Sequence, residues 1–240
     1  MTALRERICG LAAVEEALAT GRPVRFVLLD RDDPRPELAS LGEKARRRGI
    51  AVARTSPREL WRLATPAAPT DALALVGPPP RATLAELLDR PGPVWLLAGM
   101  RYPGNTGFAI RTAEVSGAAG VVVDARFEAG TRRDALRAAM GAHRFFPVLF
   151  DAAEAAVAAA RRAGRQVIAI EDRGRRSPFE VDLRPPGLLV VGGEREGIPP
   201  AILEAADEVL RIPMRGFIPA YNVQAAMAIV TGEWLRQSGG

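Results

Sequence analysis

Apolar positions along this chain recur with two different periods. Over 12–20 (AAVEEALAT) they fall three and four apart, the spacing of a helix with one buried face, whereas over 24–29 (VRFVLL) they run together as in a strand. The same reading predicts a basic helix over 36–48 ending at Gly49, a strand over 50–53, a helix over 56–64 and a strand over 71–76. GPPP at 77–80 and RPGP at 90–93 flank a weaker helix over 82–88, and successive prolines continue neither a helix nor a central strand. The expected organisation is a first domain over 1–78, a Pro-rich linker over 79–93 and a second domain over 94–240.

Beyond the linker the apolar stretches lose their polar alternation: VWLLAG at 94–99, GVVV at 120–123, QVIAI at 166–170 and LLVVGG at 188–193. Strands of this kind are buried on both faces, as in a parallel sheet covered by helices. Helical patterns fall between them over 105–117, 131–141, 151–163 and 199–206, and a strand over 208–212 precedes a last helix over 222–236. The expected fold class is α/β, a small α/β unit followed by a parallel-sheet domain.

Composition narrows the chemistry. Hydrophobic residues make up 48% of the 240, enough to fill one large core or two smaller ones. One cysteine, Cys9, and one histidine, His143, exclude an internal disulfide and leave too few soft ligands for a structural zinc site, so no metal is expected. No apolar run nears the roughly 18 residues of a membrane span, and MTALRERICG lacks the apolar stretch of a signal peptide, so a cytoplasmic protein with no membrane partner is expected. Lys44 is the only lysine among 33 basic residues, which face 28 acids. That excess fits an RNA partner, because arginine offers phosphate a planar fork, and it equally fits an arginine-rich composition with no binding role.

Ligands of open α/β sheets gather beyond the carboxyl ends of the strands, and three stretches there carry candidate chemistry. In AGMRYPGNTGFAIRTAEVSGAAG, Gly104 and Gly107 read as a tight turn after the strand. Asn105 is either a helix N-cap or a pocket amide, and Arg111 either a solvated helix residue or a second group in that pocket. In LLVVGGEREGIPPAIL, Gly192, Gly193 and Gly197 let a ligand approach the backbone, with Glu194 among them. Their spacing is not the G-x-G-x-x-G of a dinucleotide loop, which weakens a nucleotide-dependent enzyme as a reading. In RIPMRGFIPAYNVQAAMAIVTGEWL, Asn222 opens a helix whose Ala225, Ala226 and Ala228 allow close packing.

In this order the stretches resemble the three motifs of the SpoU (TrmH) family of S-adenosylmethionine-dependent RNA ribose 2′-O-methyltransferases: PGNTGFAIRTAEVSGAAGVVV, LLVVGGEREGIP, and the pair IPM and YNV. The likeness spans 94–236 and, more loosely, 6–76, where GLAAVEEAL, VRFVLL and RRRGIAV resemble the family's L30e-like RNA-binding domain. The resemblance implies a C-terminal trefoil knot that holds S-adenosylmethionine, a homodimer whose site is built across the subunit boundary, and rRNA or tRNA as substrate. By position, Gly192, Ile212 and Tyr221 match cofactor-contacting residues, with Gly193, Gly197, Met214, Asn222 and Val223 beside them. Asn105, Arg111 and Glu194 match the polar positions at which the chemistry takes place, Arg111 being the proposed catalytic arginine. Where the family usually reads Ser-Leu-Asn-Val-Ser this chain has Ala220-Tyr221-Asn222-Val223-Gln224, without either hydroxyl. The alternative is therefore a relative that keeps the cofactor pocket and the RNA surface but has lost turnover.

A guanidinium stays protonated, so Arg111 is expected to bind phosphate beside the target ribose and to stabilise alkoxide charge, not to abstract the proton. His143 is expected to be structural or RNA-facing. Arg126, Arg132, Arg133, Arg137 and Arg144 form a candidate RNA track, extended by Arg46, Arg47 and Arg48 of the first domain; a solvated basic face is the other reading.

Overall fold

The computed structural model describes residues 6–64, 70–78, 80–218 and 220–239, and its contacts divide the chain into two units, Thr2–Pro80 and Arg81–Gly240. The first unit runs β1 (Glu6–Cys9), α1 (Leu11–Ala19), β2 (Val24–Asp30), α2 (Pro36–Arg47), β3 (Ala51–Thr55), α3 (Pro57–Leu63) and β4 (Ala72–Val76). Its sheet order is β1-β4-β2-β3, with β4 antiparallel to both neighbours and β3 parallel to β2. The short β1, sequence ERIC, carries no apolar alternation to announce it; it forms by pairing along β4, from Glu6 opposite Val76 to Cys9 opposite Leu73. Leu18 of α1 and Leu38 and Leu41 of α2 close on Val27 and Leu29 on one face, while Leu60 of α3 meets Phe26 and Leu28 on the other. Ser56 caps α3 by accepting the Glu59 N–H, with Pro57 in the first turn.

The second unit continues with α4 (Leu84–Leu88), β5 (Val94–Ala98), α5 (Pro103–Val115), β6 (Gly120–Val123), α6 (Ala129–Ala138), β7 (Val148–Phe150), α7 (Ala153–Arg162), β8 (Gln166–Ile170), β9 (Gly187–Gly192), α8 (Pro200–Glu204), β10 (Glu208–Leu210) and α9 (Val223–Ser238). Its six strands are all parallel, in the order β10-β8-β9-β5-β6-β7. The unannounced strand here is β7, whose three residues are too few to show a period. Successive strand residues serve opposite cores. Trp95, Leu97, Val121 and Val191 face Ile110 of α5 and Met227 of α9, while Leu96, Val122, Leu188 and Val190 face Leu87 of α4, Val157 of α7 and Ile202 of α8. Among the described residues no helix is long and apolar enough to cross a membrane.

Within the stretch expected as a linker over 79–93, the residues from Arg81 onward pack with the second unit. Thr83 and Glu86 form a capping box on α4, and Leu87 and Leu88 are buried. The carbonyls that the Pro and Gly run leaves without a ladder are collected by one guanidinium. Arg165, only 6% exposed, donates to the C=O groups of Leu88 (2.6 Å), Gly92 (2.9 Å), Gly187 (3.4 Å) and Arg90. Buried acceptors deprived of their donor cost far more than an exposed hydrogen bond gains. Arg165→Met should therefore lower stability by on the order of 3 kcal/mol, read as a lower urea midpoint of the full chain; an unchanged midpoint would show that this array does not hold the segment.

Candidate active site

Strands β5 and β9 lie in parallel register, Ala98 opposite Gly192, so their carboxyl ends deliver two loops side by side. The Gly193 N–H donates to the Ala98 C=O at 2.7 Å. A Cβ on Gly193 would stand 2.1 Å from the Gly99 oxygen, so backbone must meet backbone here and only glycine fits. The loop then turns back at Gly197, φ +66°, whose N–H donates to the Gly193 C=O at 3.2 Å. The next N–H, of Ile198, donates to the Glu171 carboxylate at 3.1 Å. Glu171 follows β8, and its own N–H donates to the Leu210 C=O at 2.9 Å, so this residue ties the β9 loop to the end of β10. The sequence reading passed over it, since its only signal is a carboxylate directly after an apolar strand.

Glu194 comes next after the glycine pair. Its Oε1 accepts the Asn105 side-chain amide at 3.0 Å and its Oε2 the Arg101 N–H at 3.3 Å, so the first two motifs do meet. Arg101 in turn pairs with Glu196 at 2.5 Å, and Arg195 donates to the Tyr102 hydroxyl at 3.1 Å. Two expectations are corrected. Asn105 is the third residue of α5 and not its N-cap, which is Tyr102, because Pro103 is preset for a first helical position. Gly104 and Gly107 are likewise helical, and the positive φ after β5 belongs to Gly99 at +72°. Gly107 serves packing instead: a Cβ there would lie 2.5 Å from the Ala135 oxygen of α6.

Arg111 does not join this cluster within one chain. Six residues after Asn105, it is turned about 120° around the helix and lines a groove of about 610 Å³ between α5 and α9, with Phe108, Thr112, Gln224 and Ala228. Phe108 and Val115 on its rim are 50% and 69% exposed, and the Gln224 Oε1 is buried there without a hydrogen-bond partner.

The third motif spans the path from β10 to α9. Ile212 and Val223 are buried, Met214 is half-buried, and Tyr221 and Asn222 are exposed. Asn222 holds the N-cap position of α9 without making a side-chain cap bond. Among the described residues, no backbone N–H or C=O of Ile212–Ile218 enters a hydrogen bond, leaving a run of open donors and acceptors.

The arginines of the expected RNA track divide. Arg126, Arg133 and Arg144 are exposed and make no ion pair among the described residues, as do Arg46 and Arg47 on α2. Arg132 stacks over the Phe150 ring at 4.1 Å, Arg137 pairs with Asp134 at 3.5 Å, and Arg48 donates to the Leu18 C=O. His143 is exposed on the single turn Ala142–Arg144 and bonds to none of the motif residues.

Residues 93–232 match the SpoU rRNA Methylase family model, and residues 7–82 match that for RNA 2′-O ribose methyltransferase substrate binding. The chain belongs to the SpoU rRNA methylase family. It is 35% identical over 156 residues to the 23S rRNA (guanosine-2′-O-)-methyltransferase RlmB of a Burkholderia species, 65% of this chain and 63% of that one. RlmB of Pseudomonas aeruginosa is 30% identical over 258 aligned positions, covering 97% and 96% of the two chains. Among solved structures, an RNA 2′-O ribose methyltransferase superposes with TM-score 0.58 at 27% identity, covering 100% of this chain and 91% of that one. The SpoU methyltransferase AviRb of Streptomyces viridochromogenes, solved with AdoMet, superposes with TM-score 0.58 at 25% identity over 99% and 92%.

In this SpoU family member Gly193 and Gly104 stand in opposite surroundings. Gly193→Ala should break the β5–β9 loop contact and lower the melting temperature of the full chain. Gly104 has open space around its Cα, so Gly104→Ala should leave that contact intact and raise helix stability by up to about 1 kcal/mol; equal behaviour of the two would refute the steric reading.

Proposed function

We propose that this chain transfers a methyl group from S-adenosylmethionine to a ribose 2′-hydroxyl of ribosomal RNA, a guanosine of 23S rRNA in keeping with the names of its RlmB relatives. The observation that carries the reading is the Glu194 carboxylate held by Asn105 and the Arg101 N–H where β5 and β9 end, within the span that matches the family. The residues fit the cofactor: the open donors and acceptors of Ile212–Ile218 suit the edge of a purine. Gly192, Gly193, Gly197, Ile212, Met214, Tyr221, Asn222 and Val223 would hold S-adenosylmethionine, which when bound supplies an electrophilic methyl carbon. Glu194 engages the Asn105 amide, leaving the Asn105 Oδ1 to accept the hydrogen of a ribose hydroxyl and orient its oxygen. Arg111 binds the adjoining phosphate and stabilises charge developing on that oxygen, while the proton leaves to phosphate or water.

The same geometry supports a homodimer. A second copy over the α5–α9 groove would cover Phe108 and Val115, offer the buried Gln224 Oε1 a partner, and bring an Arg111 to the Asn105–Glu194 pair across the boundary. We also read the C-terminal path as knotted. The chain leaves β10 at one edge of the sheet and returns to α9, packed beside α5, while the loop after β8 presses on it so closely that a Cβ on Gly174 would lie 2.5 Å from the Arg211 nitrogen. Arg126, Arg133, Arg144, Arg46 and Arg47 are the cations of that track left for RNA backbone, and an rRNA substrate is in keeping with a reaction in the cytoplasm.

Incubation with tritiated S-adenosylmethionine and unmethylated 23S rRNA should label a 2′-O-methylguanosine. Retention of both ligands without label would identify the turnover-deficient relative. Arg111→Lys should reduce kcat by about 10- to 100-fold at unchanged cofactor affinity, because an ammonium lacks the fork that spans phosphate and alkoxide; near-full turnover would remove that role. RNA affinity should fall steeply between 50 and 200 mM salt, with a log–log slope of about −3 to −5 if the five free arginines are used, whereas a flat response would take them out of the interface.

A further inference from the structure

The first unit holds an open cavity of about 1110 Å³, lined in part by Gly10–Ala13 of the GLAAVEEAL stretch and by none of the three motifs of the second unit. Gly10 and Leu11 at the start of α1, Asp30 at the end of β2, and Arg58 and Trp61 of α3 form its walls, with Asp71 beside them. Trp61 is 48% exposed, whereas Trp95 and Trp234 are 0% and 3% exposed. The core side of α3 is served by Leu60, so nothing in the packing of the unit requires an indole one residue later. Arg58 stands three residues before Trp61, a spacing that puts both on one side of the helix, and it is exposed with no ion pair or hydrogen bond among the described residues.

The acids around it are already engaged. Asp71 accepts the Leu11 N–H at 2.9 Å and the Arg35 guanidinium at 2.7 Å, which pins the cavity wall and neutralises the carboxylate. Asp30 accepts the Asp32 N–H at 2.8 Å, and Asp33 shares Arg35. The cavity thus holds a flat apolar ring, the Arg58 guanidinium one turn away, and the Asp30 carboxylate, which makes no ion pair among the described residues. Stacking platforms for unpaired bases combine the first two features, an aromatic face for the base and a positive group for its phosphate.

We propose that this cavity takes one unstacked nucleotide of the RNA substrate, with the base against the Trp61 indole and a phosphate on Arg58. The proposal rests on the reading of this chain as an RNA-modifying enzyme and on the substrate-binding match of residues 7–82, and it names within that unit a site that holds the RNA by a splayed base rather than at the methylated ribose.

The test uses the full chain and two probes, deproteinised 23S rRNA and a single-stranded oligonucleotide of mixed sequence. Trp61 is the exposed indole, so oligonucleotide binding should quench the wild-type tryptophan emission and shield it from iodide, and Trp61→Ala should lose that response. Trp61→Ala and Arg58→Ala should each weaken rRNA binding on the order of tenfold, Trp61→Phe should recover most of the first loss, and S-adenosylmethionine affinity and the melting temperature should stay unchanged. If wild type binds rRNA but Trp61→Ala binds it equally well, the nucleotide site is overturned and the methyltransferase reading stands. If wild type binds S-adenosylmethionine but no RNA at all, the RNA reading fails and takes this site with it.

Discussion

Backbone against backbone, at the carboxyl ends of two parallel strands, is the constraint on which the site depends. Gly193 lies so close to Ala98 and Gly99 that no side chain could stand between them, and that approach hands the very next residue, Glu194, to the Asn105 amide. The strands stay in register because both of their faces are buried, one beneath α5 and α9 and the other beneath α4, α7 and α8. Glu194 is therefore delivered to Asn105 by the backbone itself, which offsets the rotamer entropy that fixing a glutamate costs. Glu171 extends the same economy, since a single carboxylate answers the Ile198 N–H while its backbone is bonded to Leu210.

Arginine serves several physical ends here, which is why net charge alone says little about partners. Arg165 is sunk among carbonyls and organises the segment ahead of β5. Arg35 is spent on two aspartates, Arg48 on a carbonyl, and Arg132 on an aromatic ring. What distinguishes Arg46, Arg47, Arg58, Arg126, Arg133 and Arg144 is that they are exposed and make no ion pair among the described residues. An unpaired exposed cation contributes little to folding, and it is the kind of group that phosphate recognition requires.

Periodicity exposed most of the architecture and stopped where it had too little to work on. The long apolar strands and the helices between them lie within a few residues of the expected positions, because burial on both faces leaves an unbroken apolar run. Strands β1 and β7 escaped notice: four and three residues respectively, they exist only because a neighbour offers a free edge. At the site, the glycines after β9 are needed for close packing against the chain's own backbone, while Gly104 and Gly107 entered the helix that Pro103 starts one residue earlier than a glycine turn would allow. Asn105 consequently moved from capping duty to the Glu194 carboxylate.

From its amino acids alone this chain specified a parallel α/β sheet, a small α/β unit before it, and three loops bearing glycine, asparagine, arginine and glutamate at the strand mouths, because hydrophobic period and local backbone preference are written residue by residue. Which of those groups touch was decided only in three dimensions. Asn105 and Glu194 are 89 residues apart in the chain and meet through strand register, whereas Arg111, six residues from Asn105, points into a different groove because a helix turns by about 100° per residue. Contact depends on direction as well as on distance along the chain, and direction is set by how the elements pack.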